Sequence, residues 1–318
     1  MPPLIETRQL KKYFPTPRGM LHAVDDVSVS VDKGRTLGVV GESGCGKSTL
    51  GRTMIHLLES TGGSIIFEGE DVTKVKAGKL RRLREDMQFI FQDPFSSLNP
   101  RMTVQQTVME PLTISGRYSR KERLKETERI MDMVGIDRRI SLAYPHELDG
   151  GRRQRVGIGR ALALRPKLIV CDEPVSALDV SISAQVLNLL QDLQDEHGLT
   201  YVFVTHDLSV VRHISDEICV MYLGQIVETS LADELFEKPL HPYTKALLSA
   251  IPSTDIHREK KRVILEGEIV SPIDPKPGCR FAARCSYARP QCQEPQNLKE
   301  VLPKHSVSCW RAREINGL

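Results

Sequence analysis

The sequence contains no long apolar run and no excess of charge of one sign. Its 318 residues include nothing near the roughly 18 apolar residues of a membrane-spanning helix, and the first residues, MPPLIETRQLKKYF, lack the apolar core of a signal peptide. The net charge is +3, with basic and acidic residues interleaved, so no basic stripe suited to nucleic acid is present. We therefore expect a chain that faces the cytoplasm and meets a membrane only through a partner.

The seven cysteines lack the closely paired spacing of a zinc ribbon and the cysteine run of a bacterial ferredoxin. Three lie in or beside apolar segments, where a small buried thiol is typical: Cys45, Cys171 and Cys219. The other four crowd the tail: Cys279, Cys285, Cys292 and Cys309. In a reducing cytoplasm, four clustered thiols favour a metal over disulfides, and their spacing leaves zinc and iron both open.

The length and the composition predict a main domain with an appendage. A chain of 318 residues is long for one simple domain, and a hydrophobic content of 40% with a charged content of 27% is ordinary for a globular protein. Prolines become frequent past Leu231. We predict a main domain over residues 1–235 and a C-terminal extension over residues 236–318.

The stretch GESGCGKST, residues 41–49, carries the clearest chemistry. It follows an apolar run at residues 36–40 that predicts a buried strand, and it leads into a predicted helix. Its spacing fits G-x-x-x-x-G-K-[ST], in which glycines let backbone N–H groups approach phosphate oxygens and the helix N-terminus favours negative charge. We predict a phosphate-binding loop in which Lys47 reaches the outer phosphates and Ser48 ligates Mg²⁺.

Polar side chains follow three other apolar runs. These are Gln92, the pair Asp172 and Glu173, and His206. The carboxyl ends of parallel strands form the ligand-binding edge of an α/β sheet, so these side chains are candidates for contact with a metal, a water molecule or a phosphate. The simpler alternatives are a solvated loop glutamine, solvated acids at a strand end and a structural histidine.

Tyr13 lies upstream of the phosphate loop, within a stretch at residues 4–31 that predicts a small antiparallel sheet. Its ring could stack on a nucleotide base. The alternative is that Tyr13 and Phe14 pack on an edge of the sheet, because aromatic residues are common in strands.

Residues 103–134 interrupt the alternation of strands and helices. Apolar side chains recur there at helical spacing: Val104, Val108, Leu112, Leu124, Ile130, Met131 and Val134. The pattern predicts a helical subdomain, about residues 100–163, inserted into the nucleotide-binding core. The subdomain closes on the turn Leu148-Asp149-Gly150-Gly151, followed by a helix rich in basic residues.

In this order, the motifs resemble those of the ATP-binding cassette (ABC) ATPases, and the resemblance extends over essentially the whole chain. It implies an α/β fold: a P-loop ABC ATPase core with an antiparallel β subdomain, an inserted α-helical subdomain and a small C-terminal metal-binding extension. It also implies that the chain hydrolyses ATP with Mg²⁺. In this family two ATPase chains meet head to tail, so the signature turn of one contacts the ATP held by the other.

The resemblance assigns roles to individual residues of this sequence. The ATP-binding residues are Tyr13, Gly41, Ser43, Gly44, Cys45, Gly46, Lys47, Ser48, Thr49 and Gln92. The Mg²⁺ ligands are Ser48, Gln92 and Asp172. The catalytic residues are Glu173 as the general base, His206 as the switch histidine, Gln92 and Lys47. The signature residues that contact the ATP of the partner chain are Asp149, Gly150 and Gly151.

The tail resembles that of one particular group of ABC ATPases. Residues 241–248, HPYTKALL, and residues 278–281, GCRF, resemble the tail of ATPase subunits of oligopeptide and dipeptide importers, in which the tail cysteines hold a 4Fe-4S cluster. This implies a peripheral protein on the cytoplasmic face of the cell membrane, with two transmembrane permease subunits and, indirectly, an extracytoplasmic solute-binding protein as partners. We expect the contact with the permeases near Phe95, Leu98 and Tyr144.

The signature turn departs from the family pattern, because Asp149 replaces the usual serine and Arg152 the usual glutamine. Aspartate caps a helix as well as serine does, so the fold should survive. A carboxylate at about 4 Å from the γ-phosphate would cost on the order of 4 kcal/mol unless Arg152 offsets it. We therefore expect a second, non-identical ATPase partner and two unequal sites. The site with this chain's Lys47, Asp172 and Glu173 is active, and the site capped by Asp149 is impaired.

Other functions use the same motifs. An importer of nickel, glutathione or another solute is one alternative, because the choice of solute lies in the binding protein and the permeases. A soluble cassette ATPase acting on ribosomes or DNA is another, but such proteins commonly carry two cassettes or large insertions. A single cassette without a basic stripe favours a transporter subunit with no nucleic-acid partner.

Overall fold

The computed structural model describes residues 2–251, 263, 265, 267 and 271–318. These residues form two compact units. Unit 1 contains the N-terminal residues through Val31, Thr36–Lys74 and the described residues from Phe203 onward, and unit 2 contains Asp32–Arg35 and Val75–Val202. The phosphate loop and the tail therefore belong to unit 1, and the signature turn belongs to unit 2.

Strands and helices alternate through most of the described chain. The strands are β1 Ile5–Thr16, β2 Gly19–Val31, β3 Thr36–Val40, β4 Gly62–Phe67, β5 Glu70–Asp71, β6 Met87–Ile90, β7 Leu168–Asp172, β8 Thr200–Thr205, β9 Glu217–Tyr222, β10 Gln225–Leu231, β11 Lys299–Leu302 and β12 His305–Val307. The helices are α1 Lys47–Met54, α2 Ala77–Asp86, α3 Pro94–Ser97, α4 Val104–Ser115, α5 Arg120–Met133, α6 Gly150–Leu162, α7 Val180–His197, α8 Leu208–Ile214, α9 Ala232–Glu237, α10 Pro242–Ser249 and α11 Ala312–Asn316.

An antiparallel sheet in unit 1 has the strand order β2-β1-β4-β5. Apolar side chains on one face hold β1 against β2: Ile5 pairs with Val31 and Leu10 pairs with Val27, and all four are buried. Strands that bury one face show this alternation of apolar and polar residues. The predicted antiparallel sheet at residues 4–31 is confirmed, and β4 and β5 enlarge it.

Five strands of a second, eight-stranded sheet belong to unit 1, in the order β11-β12-β10-β9-β3. β3 is parallel to β9 and entirely buried, as its apolar run predicts. β9 and β10 form a hairpin that turns at Gly224. β12 belongs to the tail and pairs with β10 through Val307 and Glu228. The C-terminal region thus extends the sheet that contains β3, which the sequence pattern did not reveal.

Unit 2 contains the parallel pair β6 and β7 and a group of helices. Both α4 and α5 begin with capping boxes, at Thr103 and Ser119, and α4 ends at Gly116 in the left-handed conformation. These caps satisfy the N–H groups at the helix starts. The predicted helical region at residues 103–134 is confirmed. The prediction that Leu124 lies on a packed face is wrong, because its side chain is solvent-exposed at the helix surface.

The C-terminal helices continue directly from β10. α9 begins at Ala232 and crosses the predicted domain boundary at residue 235. That boundary, and the limits of the helical subdomain at about residues 100–163, stay predictions. Among the described residues, no helix is long and apolar enough to cross a membrane.

Candidate nucleotide-binding and catalytic site

The phosphate loop wraps around the ammonium group of Lys47. Nζ of Lys47 donates to the carbonyl oxygens of Gly41 at 2.8 Å and Glu42 at 3.0 Å, and the side chain is buried. Gly46 caps α1 with a φ of +108°, and a Cβ there would lie 1.9 Å from the carbonyl oxygen of Ala23. A Cβ on Gly41 would lie 2.1 Å from another backbone carbonyl. Close backbone packing therefore requires both glycines.

The outer rim of the loop is open. Ser43 and Gly44 are exposed, and Ser48 and Thr49 are half-buried in the first turn of α1. The backbone N–H groups and the helix dipole at the start of a helix make such a turn favourable for a phosphate. The thiol of Cys45, another predicted ATP-binding residue, is buried in the core, and burial raises the pKa of that thiol.

Two predicted catalytic side chains meet in unit 2. Gln92 follows β6 and Glu173 follows β7, and these strands are parallel neighbours. Nε2 of Gln92 donates to Oε2 of Glu173 at 2.8 Å. Asp172, the last residue of β7, is fully buried. The expectation that these strand ends lie together is confirmed for Gln92 and Glu173, while their catalytic roles stay predictions.

The backbone of Glu173 is strained. Its φ is +47°, in a region that L-residues rarely adopt. Its carbonyl oxygen accepts hydrogen bonds from the N–H of Ser176 at 3.3 Å and from the Ser176 hydroxyl at 3.1 Å. These two bonds hold the turn after β7 in its strained form. Strain of this kind clusters at active sites, where it fixes the direction of a side chain.

The signature turn of unit 2 neutralises part of its own charge. Oδ1 of Asp149 accepts the N–H of Arg152 at 2.7 Å, which caps α6, and Nε of Arg152 lies 3.4 Å from Oδ2 of Asp149. Both side chains are exposed, so water screens this pair. A Cβ on Gly151 would lie 2.6 Å from Cγ2 of Ile182 in α7. Asp149 therefore caps α6 as a serine would, and Gly151 is a glycine because a side chain there would collide with α7.

His206 lies exposed in the loop between β8 and α8, in unit 1. Local hydrogen bonds shape this loop: Asp207 donates its N–H to Thr205 Oγ1 at 3.0 Å, and its carboxylate accepts the N–H of Ser209 at 2.8 Å. These two hydrogen bonds hold the backbone next to His206. The contact of His206 with a γ-phosphate stays a prediction.

Tyr13 belongs to a polar cluster that the sequence did not reveal. Its ring stacks on His22, with centroids 3.9 Å apart and an interplanar angle of 18°. Its hydroxyl donates to Asp25, whose carboxylate also accepts from Arg280 of the tail. Burial, and then the hydrogen bond to Asp25, raise the pKa of Tyr13. His22 covers one face of the ring, so a nucleotide base could stack only on the other face.

All seven cysteines are free thiols. The four in the tail are half-buried, and burial, with a smaller effect from the charges of the other three tail thiols, raises the pKa of Cys279 to about 11. Nevertheless, no three or more His, Cys, Asp and Glu side chains of the described residues are grouped so that they could hold a metal ion. The geometry therefore does not support the metal-binding part of the predicted extension.

Comparisons with known proteins agree with the nucleotide-binding motifs described above. Residues 24–176 match the ABC transporter family, and residues 227–292 match the oligopeptide/dipeptide transporter C-terminal region. The oligopeptide transport ATP-binding protein AppF of Bacillus subtilis (strain 168) is 50% identical over 319 residues, covering 96% of this chain and 96% of AppF. The oligopeptide transport ATP-binding protein OppF of Salmonella typhimurium is 51% identical over 309 residues, covering 96% of this chain and 92% of OppF.

A solved structure shares the fold of the core. The dimeric structure of the ATP-binding cassette MJ0796, in a post-hydrolysis state bound to ADP and Pi, aligns with a TM-score of 0.66 at 29% identity, covering 72% of this chain and 98% of that one. The two family matches fall in the order that the motifs predict, and the identity to AppF and OppF extends over nearly the full length. The chain therefore belongs to the ABC transporter family of ATPases, in the group of oligopeptide transport ATP-binding proteins.

Proposed function

We propose that the chain is the ATP-hydrolysing subunit that powers the import of oligopeptides or dipeptides through a membrane ABC transporter. AppF and OppF are oligopeptide transport ATP-binding proteins, and each is about half identical to this chain. The proposal places the chain peripherally on the cytoplasmic face of the membrane. Its partners are two permease subunits, a second non-identical ATPase subunit and, indirectly, an extracytoplasmic solute-binding protein.

The hydrogen bond between Gln92 and Glu173 is the observation that carries the catalytic part. A general base works when its carboxylate is held in a fixed direction and accepts a proton from the attacking water. The Gln92 amide donates to Oε2 of the Glu173 carboxylate at 2.8 Å and so helps to hold that carboxylate in a fixed direction. The strained turn at Glu173 fixes the same carboxylate from the backbone side.

The residues suit ATP and Mg²⁺ chemically. Ser48 and Asp172 offer the oxygen ligands that Mg²⁺ prefers, and when it is bound the metal neutralises charge on the phosphates. Lys47, held in the loop by two carbonyl oxygens, supplies a positive charge for the outer phosphates. In this proposal His206 contacts the γ-phosphate and the open face of Tyr13 contacts adenine.

The substitution Glu173→Gln tests the catalytic role. It keeps the size of the side chain and removes the base, so we expect ATP binding to persist while the hydrolysis rate of the assembled transporter falls about 100-fold or more. Glu59→Gln, the same change at an exposed glutamate, is the matched control and should hydrolyse ATP at the normal rate. A Glu173→Gln transporter with undiminished turnover would rule out Glu173 as the base.

Two exposed aromatic residues in unit 2 support the contact with a permease. Phe95 and Tyr144 are 54% and 40% exposed, which is unusual for large aromatic side chains. The guanidinium of Arg153 lies 5.0 Å from the Phe95 ring centroid and steadies that ring. Leu98 is only 3% exposed, so its predicted place on this surface is wrong. We propose that Phe95 and Tyr144 receive a segment of a permease.

The solute is tested with the assembled transporter. Membranes are solubilised, the chain is captured, and co-purified subunits are reconstituted into vesicles that contain ATP. Uptake of labelled oligopeptide or dipeptide supports the proposal. Uptake of nickel or glutathione in place of peptide would reassign the solute, and co-purification of ribosomes or DNA without permeases would overturn the transport function.

A 4Fe-4S cluster in the tail is a further part of this proposal, and it rests on the resemblance and on the donor set. Four thiols occur within the tail, and the pKa values of Cys279, Cys285 and Cys309 are raised by burial first and, to a smaller extent, by neighbouring thiols. Their positions do not form a metal-holding group in this structure, so no step of the ATPase reaction is assigned to a cluster. Iron, acid-labile sulfide and zinc are measured on anaerobically purified protein. A chain without iron and sulfide would exclude the cluster.

A further inference from the structure

One residue of the phosphate loop is held from outside the loop. The N–H of Glu42 donates to the hydroxyl of Tyr243 in α10 at 3.0 Å. Its carbonyl oxygen accepts from Nζ of Lys47 at 3.0 Å and from the N–H of Cys45 at 3.3 Å. Glu42 therefore joins the ammonium group of the loop to the C-terminal region of unit 1.

The carboxylate of Glu42 is paired with the tail. Nη1 of Arg284 lies 2.9 Å from Oε2 and 3.2 Å from Oε1, and Nη2 lies 3.2 Å from Oε1. The Arg284 side chain is only 9% exposed, and that of Glu42 is 26% exposed. The hydrogen bonds to Glu42 raise the pKa of Arg284, so the guanidinium stays charged. A forked pair with so little exposure is a strong, directional contact.

Arg284 is itself fixed by a packed aromatic cluster. Its guanidinium lies 6.0 Å from the ring centroid of Tyr222. The rings of Tyr222, Tyr243 and Phe281 pack against one another at centroid distances of 4.7 to 5.4 Å, and all three are almost fully buried. Rings in edge-to-face contact form a rigid base. The tail is therefore a rigid support for the loop.

We propose that Arg284 is a positioning residue for ATP binding: it neutralises the carboxylate of Glu42 and holds the phosphate loop in its binding form. Without Arg284, an unpaired carboxylate would lie within the loop and repel the phosphates, and it would compete for the ammonium group of Lys47. This role belongs to the tail and is additional to the residues that contact the nucleotide. The inference rests on the proposed function only in that ATP is the ligand of the loop.

The experiment measures binding of a fluorescent, non-hydrolysable ATP analogue, mant-AMPPNP, to the full chain with Mg²⁺. We expect Arg284→Ala to weaken binding about tenfold. The double variant Glu42→Gln with Arg284→Ala also removes the carboxylate that the loss of Arg284 leaves without its partner. We expect the double variant to bind within about threefold of the unaltered chain. Arg284→Lys keeps the charge and should bind between these values.

Arg311→Ala is the matched control. Arg311 is a tail arginine that pairs with Glu314 and with the carbonyl oxygen of Tyr287, so its loss tests general damage to the tail. We expect it to bind mant-AMPPNP normally. In the assembled transporter, Arg284→Ala should raise the KM for ATP while kcat changes little, because the groups that act on the attacking water are intact.

Three results would overturn the inference. Arg284→Ala could bind within twofold of the unaltered chain, the double variant could bind as weakly as Arg284→Ala, or Arg311→Ala could lose affinity equally. Circular dichroism of each variant checks its fold, and if Arg284→Ala does not fold, Arg284→Lys and the double variant decide. If the unaltered chain itself does not bind the analogue, the proposed function fails instead.

Discussion

Asp149 illustrates how much one side chain can change without changing the fold. As the cap of α6 it does what a serine would do, since its carboxylate accepts the N–H of Arg152. Its charge is the difference. Arg152 lies close enough to offset part of that charge, but both side chains are exposed and the offset is screened. The proposed inequality of the two ATP sites follows from this remaining charge.

We predict that Asp149→Ser restores the site formed with the partner ATPase. Removing the carboxylate removes its repulsion of the γ-phosphate, so ATP occupancy at that site should rise several-fold, and the ATPase rate of the assembled transporter should rise with it. Asp137→Ser is the control, because Asp137 also caps a helical turn, by accepting the N–H of Arg139 at 2.8 Å. Unchanged occupancy and rate in Asp149→Ser would count against unequal sites.

Glu228 is a buried carboxylate whose partners are far away in the sequence. It accepts the N–H groups of Leu240 at 2.6 Å and His241 at 2.9 Å, and Nε2 of His305 lies 2.7 Å from it. The side chains of Glu228 and His305 have no solvent exposure. A buried carboxylate needs such partners, since an unpaired one is very costly. This cluster joins β10, α10 and β12.

Among the elements, α10 depends on a buried histidine. Nδ1 of His241 accepts the N–H of Tyr243 at 3.1 Å and so caps the helix, which requires an unprotonated ring nitrogen. Burial lowers the pKa of His241 to about 4, against the opposing effect of Glu228. As the pH falls, His241 therefore takes up a proton in the unfolded chain near its ordinary pKa of 6.5, before it does so in the folded chain. Stability is full above that pKa and falls as the pH drops from 6.5 towards 4.

We predict that this one group lowers the free energy of unfolding by about 1.3 kcal/mol between about pH 7.5 and about pH 5.5. His241→Asn keeps a capping acceptor that does not titrate, so it should lose this part of the pH dependence, although it is less stable overall. Urea unfolding of both proteins at the two pH values measures the difference. Other histidines titrate in both proteins and cancel. An equal loss in both proteins would show that His241 is not the cause.

The elements with strong local patterns are the ones that the sequence predicted. β3 and β7 are continuous apolar runs, and α4 and α5 have helical spacing with capping residues. β11 and β12 were not predicted, because strands of three or four residues have too little alternation to distinguish them from loops. Helical spacing of an apolar residue does not by itself show that the residue is buried, because Leu124 has this spacing and is exposed.

For the molecule as a whole, the tail is part of the core of unit 1. β12 lies beside β10, and an apolar cluster of Leu240, Val307 and Ala312 is buried between the tail and the segment after β10. The predicted main domain at residues 1–235 would lack these contacts. Folding of that domain alone would also leave Glu228 buried without His305.

We predict that the chain truncated after Ile251 does not fold into a stable domain. Losing one partner of a buried hydrogen bond costs about 1–3 kcal/mol, and more when the group left unpaired is charged, which is a large part of the 5–15 kcal/mol that holds an ordinary domain together. Circular dichroism melts measure this. His305→Ala in the full chain is the comparison, and it should melt cooperatively at a reduced temperature. A truncated chain with a sharp melt close to that of the full chain would show that the tail is an independent appendage.

The local chemistry could be predicted from the order of residues alone. A strand, a glycine-containing loop and a helix in direct succession predict a phosphate site beside Lys47 and Ser48. Polar residues after parallel strands are expected to meet at one sheet edge, as Gln92 and Glu173 do. The spacing of Lys47 and Ser48 fixes their geometry because they are neighbours in the chain, whereas Gln92 and Glu173 meet because the two strands that precede them are parallel neighbours.

The contacts that hold this chemistry in place depend on the tertiary structure. Arg284 and Glu42 are 242 positions apart, and His305 and Glu228 are 77 apart. No periodicity or spacing indicates which arginine pairs with which glutamate, because a charged residue in a loop is usually solvated. Only folding brings such side chains together and removes water from around them, and only then does each require its partner. The attachment of the tail to the phosphate loop therefore depends on the tertiary structure and not on any local sequence pattern.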